Sequence, residues 1–226
     1  MALKTGIVKG DIFLRHIPDE SCPDTPKRLS SLYSMLNDPD MQGMFVDVPL
    51  QKAQKKDILL FHTHEYFEKI AETKGKDFIV LTADTHACED SFDAALYATG
   101  GLLAAISQVA ANKLDNAFAL IRPPGHHAEK SRAMGYCLFN HVAIGAIFAQ
   151  KRLNLGRILI IDWDLHHGNG TQHAFERDPS VLFFSIHQAG LFPGTGSFVE
   201  TGAGTGEGYT INLPIPKGYG DAEYAS

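Results

Sequence analysis

The hydrophobic and polar positions of this chain change period several times, and each change marks an element. Thr5 to Phe13 predicts a first strand, and Phe45 to Val48 a short one. Thr25 to Leu36 predicts a helix, with Thr25 as N-cap and Pro26 at the first helical position. His64 to Lys74 predicts a helix closed by Gly75. Asp90 to Lys113 is alanine-rich and apolar at helical spacing. Its internal Gly100-Gly101 pair costs helix propensity and points to close packing. Phe118 to Ile121 reads as a strand, and Asn140 to Leu153 as a second alanine-rich helix ending before Gly156. Arg157-Ile158-Leu159-Ile160-Ile161 has the unbroken apolar character of a fully buried parallel strand. Val181 to Ile186 and Tyr209 to Leu213 add further strands. Strands alternating with helices predict an α/β fold, a parallel sheet covered on both faces. There are no repeats and no low-complexity linkers, so residues 1–226 read as one domain.

The chemistry gathers where two of these strands end. Asp162-Trp163-Asp164-Leu165-His166-His167-Gly168-Asn169-Gly170-Thr171 follows the Arg157 to Ile161 run. If the extended conformation persists, Asp164 and His166 point the same way, with Asp162 one step deeper. A carboxylate oxygen and an imidazole nitrogen converging on one point form half of a divalent-metal site. The second cluster, Arg122-Pro123-Pro124-Gly125-His126-His127-Ala128, follows the Phe118 to Ile121 strand. Its prolines fix the exit path, and Gly125 allows a tight turn. Open α/β sheets bind ligands beyond the carboxyl ends of their strands, so both clusters are expected to face one crevice.

Four linked motifs carry a family resemblance: residues 122–128, Gly135-Tyr136-Cys137-Leu138-Phe139-Asn140, residues 162–171, and Leu191-Phe192-Pro193-Gly194-Thr195-Gly196. In order and spacing they resemble the zinc-dependent histone deacetylase and acetylpolyamine amidohydrolase family. The likeness runs from about Gly6 to the last residue. His-Gly-Asn in place of His-Gly-Asp is similar to the class II and bacterial members. The resemblance implies an arginase/deacetylase-like α/β fold, with helices on both faces of a parallel sheet.

By motif, the resemblance implies these roles. Asp164 and His166 would be two of three protein ligands of a catalytic zinc, the same ligand types accepting iron or cobalt. His126 and His127 would handle protons, with Asp162 orienting His126 and Asn169 partnering His127. A neutral amide raises a histidine's pKa less than a carboxylate does, so His127 is the better placed general base. Gly135, Tyr136 and Phe192 would line the substrate channel, with Asp84 as a rim carboxylate and Arg28 at the product exit. Asp162, Asp164, His166, Ser185 and Ile186 match a first structural K+ or Na+ site, and Phe175, Asp178, Val181 and Tyr209 a second. The implied reaction is removal of acetyl or other acyl groups from lysine side chains or polyamine-like amines. A two-metal ureohydrolase of the arginase kind fits the Asp/His pattern and the channel motifs less well.

Composition changes this picture little. The formal net charge of −6 argues against nucleic-acid binding and suits a cationic substrate. Cys22, Cys88 and Cys137 form no Cys-x-x-Cys pair, which suggests a reduced, cytoplasmic setting, with Cys137 a packed residue rather than a nucleophile. Lys4, Lys9 and Asp11 interrupt any signal-peptide core, and no run is long enough to span a membrane. His62, His64, His86, His141, His173 and His187 read as surface or capping residues.

The resemblance also implies an incomplete C-terminal part. This chain corresponds to the N-terminal two-thirds of the family's domain. The family's third zinc ligand, an Asp, and its transition-state-stabilising Tyr have no counterpart, and Asp221 and Tyr224 belong to an earlier segment. Three readings follow: part of a longer active enzyme, a catalytically inactive scaffold or acyl-group binder, and a sheet completed by another chain or a second copy.

Overall fold

The computed structural model describes residues 3–17 and 22–224. Two parallel three-stranded sheets carry the fold. β1 (Thr5–Val8), β2 (Phe45–Asp47) and β5 (Asn116–Ala119) form the first, in the order β2-β1-β5. β6 (Ile158–Asp162), β7 (Val181–Gln188) and β8 (Thr210–Ile215) form the second, in the order β6-β7-β8. An antiparallel hairpin, β3 (Ile79–Thr82) with β4 (Thr85–Ala87), is not among the elements expected above, although Phe78 to Thr82 is an apolar, β-branched run. The α/β class is as expected, with parallel strands and packed helices.

The α-helices are α1 (Lys27–Leu36), α2 (Lys55–Ile58), α3 (His64–Ala71), α4 (Ser91–Ala110), α5 (His141–Leu153), α6 (Asn169–Phe175) and α7 (Asp221–Tyr224), joined by short 3-10 turns. Two apolar clusters share α4. One joins it to α3, α5, β6 and β7 through Ile70, Leu96, Phe139, Ile144 and Phe183. The other joins it to β1 and α1 through Val8, Phe13, Leu29, Ala98 and Leu120. The Gly100-Gly101 pair permits this contact: a Cβ on Gly100 would sit 2.0 Å from the Gln51 carbonyl, and one on Gly101 2.5 Å from Val8.

Several boundaries differ from expectation. The first strand stops at Val8, and Asp11–Leu14 turns into a 3-10 helix that buries Phe13. The strand expected at 118–121 lies earlier, at Asn116–Ala119, because register with β1 pairs Thr5 with Asn116. α1 begins at Lys27, while the Thr25 hydroxyl accepts from the Lys27 N–H at 3.3 Å. α5 ends at Leu153 as expected, closed by left-handed Asn154, and Asn140 is its N-cap, the side chain accepting from the Ala143 N–H at 3.0 Å. β6 is not fully buried. Ile160 faces the core at 8 % exposure, but Leu159 and Ile161 on the opposite face are 57 % and 51 % exposed. Among the described helices none is long and apolar enough to cross a membrane.

Candidate active site

The two clusters meet beyond the ends of β5 and β6. A buried ion pair delivers the first. The Arg122 Nε–H donates to both Asp24 carboxylate oxygens at 3.1 and 3.0 Å, and Nη1 donates to the Phe13 and His16 carbonyls at 3.1 and 2.9 Å. This pins the segment leading to His126 and His127, whose ring centroids lie 3.9 Å apart. His126 Nδ1 donates to Asp162 Oδ2 at 2.9 Å, and His127 Nδ1 lies 2.8 Å from Asn169 Oδ1.

Asp164 and His166 converge by a different route from the one expected. β6 ends at Asp162, and the chain then bends. Asp162 Oδ1 accepts from the Asp164 N–H at 3.1 Å, and Asp164 Oδ1 accepts from the His166 N–H at 2.8 Å. Consecutive turns in which a carboxylate binds the backbone two residues on replace the extended alternation. Asp164 Oδ1 and His166 Nδ1 end 3.3 Å apart. Two donors on one tetrahedral zinc, with bonds of ~2.0–2.1 Å, lie ~3.3–3.4 Å apart, so this pair fits such an ion. Among the described residues no group of three or more His, Cys, Asp or Glu forms a complete metal site.

A cavity of about 480 Å³ opens over this pair and is lined by His126, His127, Gly135, Tyr136, Asp164, His166 and Phe192, with Asp84 and Arg28. Phe192 stands edge-on to His127 at 5.0 Å and to His166 at 6.2 Å. Gly135 and Tyr136 both have positive φ, 55° and 65°. A Cβ at Gly135 would lie 2.2 Å from His127 Cδ2, so only glycine lets the His127 ring stand where it does. The less favourable Tyr136 conformation is held by the β3–β4 hairpin. Asp84 Oδ2 accepts from the Gly135 N–H and Thr85 Oγ1 from the Tyr136 N–H, each at 3.1 Å. The Thr82 and Thr85 hydroxyls donate to Asp84 Oδ1, each at 2.8 Å. Asp84 thus lines the cavity and also fixes its wall. Arg28 is largely exposed, and its Nη1 donates to Asp24 Oδ1 at 3.0 Å.

The paired histidines are driven in opposite directions. Burial and the neighbouring His126 push His127 down to about 4, against the pull of Asn169 and Asp164, so it is neutral at pH 7. Burial opposes charge on His126 as well, but the hydrogen bond and charge of Asp162, with Asp164, outweigh it and raise the ring. For Asp162, burial raises the carboxyl, and the bond and charge of His126 more than reverse this. Burial raises the Cys137 thiol steeply, as suits a packed residue.

The residues matched to the cation sites fall into two places. Asp162 pairs in register with Ser185, and Ile186 follows it on β7. Phe175, Asp178 and Val181 lie around the α6–β7 connection. There the Phe175 carbonyl accepts from Asp178 N–H at 2.9 Å and the Asp178 carbonyl from Val181 N–H at 3.3 Å. The Tyr209 carbonyl, on the neighbouring chain segment, accepts from Phe183 N–H at 2.9 Å.

Three histidines expected at the surface or in caps are instead core: His62, His141 and His187 are 3 %, 3 % and 2 % exposed. His62 Nε2 accepts from the Asn140 N–H at 2.9 Å, which ties it to the loop behind His127. Periodicity gives no signal for them, because they pack through polar contacts distant in sequence. Asp24 and Glu129 likewise scaffold this site without any local mark in the sequence, and the motif residue Arg122 shows no sign there of its remote partner Asp24.

Comparison with known proteins agrees with the geometry. The histone deacetylase domain matches residues 22–226. A probable deacetylase of Archaeoglobus fulgidus is 42 % identical over 225 residues, covering 97 % of this chain and 61 % of the relative. The polyamine deacetylase HDAC10 of Danio rerio is 39 % identical over 211 residues, 88 % of this chain and 31 % of its own length. The crystal structure of the HDA15 HD domain superposes with a TM-score of 0.91 at 35 % identity, covering 95 % of this chain and 62 % of that one. The chain therefore spans less than two-thirds of these relatives. With the domain match, the archaeal identity and the paired histidines over an Asp/His half-site all in agreement, the chain belongs to the histone deacetylase family.

Proposed function

We propose that this chain carries the catalytic face of a zinc-dependent amidohydrolase, a hydrolase of linear amide bonds that removes acetyl or other acyl groups from lysine side chains or polyamine-like amines. The observation that carries the reading is the joint geometry of His126–Asp162, His127–Asn169 and the Asp164–His166 pair on one aromatic-walled cavity. Asp164 and His166 would hold the ion, which when bound supplies Lewis acidity toward water and the amide carbonyl.

The chain's own residues supply the proton transfers. Neutral His127, with Nδ1 engaged by Asn169, offers Nε2 to take a proton from the attacking water. His126, whose ring Asp162 shifts toward its protonated form, supports developing charge and gives a proton to the leaving amine. Tyr136 and Phe192 grip an extended methylene chain, and the net charge of −6 favours a cationic one. The name of the Danio rerio relative makes acetylpolyamines a substrate class to test beside acetyl-lysine peptides. K+ or Na+ at the two carbonyl-rich places would brace the β6–β7 turns.

The test is a turnover screen of acetyl-lysine peptides against acetylpolyamines, with and without chelator. Chelator-insensitive turnover would refute the metal mechanism. A second reading is an acyl-group binder without turnover, in which the cavity and its aromatic walls hold the acyl chain. Binding of acetyl-lysine peptide in a calorimeter, with no turnover at saturating zinc, would select it.

A further inference from the structure

Asn169 is 2 % exposed, and its amide is gripped at both ends. Its Oδ1 lies 2.8 Å from His127 Nδ1, and its Nδ2 donates to Glu129 Oε1 at 2.5 Å. The same Glu129 oxygen accepts from His173 Nδ1 at 2.9 Å, at the edge of solvent. A carboxylate has acceptors and no donors, so the Asn169 group facing it is the NH2. The amide oxygen must then face His127, Nδ1 must carry the proton, and the lone pair is left on Nε2, toward the cavity. Without the carboxylate, an asparagine amide can turn over and offer its NH2 to His127, which selects the opposite tautomer.

We propose that Glu129 is a positioning residue that sets the tautomer of His127 through the Asn169 amide, with His173 holding the carboxylate from the surface. The consequence for turnover rests on His127 as proton acceptor; the tautomer itself does not. The arrangement also explains why an amide stands at residue 169. The substitution Asn169→Asp would set two carboxylates 2.5 Å apart unless one were protonated. The negative charge is moved one hydrogen bond outward, where His173 meets it.

The test is long-range nitrogen–proton NMR on histidine-labelled chain, which reads each ring's tautomer without any turnover. Wild type is expected to show His127 with the proton on Nδ1. Glu129→Gln keeps an acceptor for the amide and is expected to keep that pattern. Glu129→Leu is expected to show a mixed or reversed tautomer, and turnover falling roughly 10- to 100-fold with KM within about twofold. A Glu129→Leu ring that stays fully protonated on Nδ1 overturns the proposal. If that variant does not fold, Asn169→Asp is compared with Asn169→Asp/Glu129→Gln. The single substitution should be the less stable and lose more activity; equal stability overturns the proposal. Unimpaired turnover in His127→Ala would instead reject His127 as the base, while the tautomer read by NMR would still decide the role of Glu129.

Discussion

Acid should unfold this protein early, and His62 carries a measurable part of the effect. The ring is buried against Phe61, Tyr66 and Phe139, with centroids at 4.7, 5.1 and 5.3 Å. Its Nε2 accepts from the Asn140 N–H, and Nδ1 donates to the Lys130 carbonyl at 3.2 Å. A second proton would set one N–H against another. Burial is the main cause, reinforced by His141, that pushes the ring from 6.5 to about 3 in the folded chain. Between these values only the unfolded chain binds the proton. The contribution is therefore whole above pH 6.5 and is withdrawn as pH falls toward 3. At ~1.4 kcal/mol per pH unit it reaches up to ~5 kcal/mol, comparable with the ~5–15 kcal/mol of a whole domain. His16 and His141, each lowered to about 4 by burial first, act in the same sense. Urea unfolding by circular dichroism at pH 7, 6, 5 and 4 should show stability falling with acid. His62→Gln should remove about 1.4 kcal/mol per pH unit from that slope below pH 6. The exposed His64→Gln serves as control. An unchanged slope in His62→Gln would refute the assignment of a buried, neutral ring.

Three further outcomes are expected. Gly135→Ala should lose about 1–2 kcal/mol from its left-handed backbone alone. It should lose turnover further, since its Cβ would displace the His127 ring; a crystal structure with that ring unmoved would contradict this. Arg122→Met should cost about 3–5 kcal/mol in a urea titration, because it strips the guanidinium from the buried Asp24 carboxylate. A loss under about 1 kcal/mol would count against that ion pair as the anchor of residues 122–124. Zinc at about 100-fold over its Kd should stabilise the chain by about 2.7 kcal/mol, roughly 5–10 °C in Tm. Asp164→Asn and His166→Asn should abolish that shift, and its persistence in both would move the site elsewhere.

The chemistry of this site is legible in the sequence because its members lie close together along the chain. Asp162, Asp164 and His166 fall on one short segment, and His126 and His127 are adjacent. Even there the local geometry departs from expectation. Extended alternation predicts the Asp164–His166 convergence, but paired carboxylate turns produce it, since β6 ends at Asp162. Apolar runs are a weaker guide. The Arg157 to Ile161 run has the composition of a strand buried on both faces, yet Leu159 and Ile161 lie on an open face.

What stays hidden is the scaffolding, because its partners are remote in sequence and polar. Arg122 meets Asp24 across 98 residues, Asn169 meets Glu129 across 40, and Gly135 meets Asp84 across 51. Each long-range pair decides an orientation that the local motif leaves open: the path into His126, the face of the Asn169 amide, and the turn that carries Tyr136. Buried polar groups must find partners, and the partners chosen here are those that fix the side chains of the candidate site. The short motif thus supplies which atoms can react. Residues distant in sequence supply the rest: Gly135 leaves room for the His127 ring, and under our proposal Glu129 sets which of its nitrogens carries the proton.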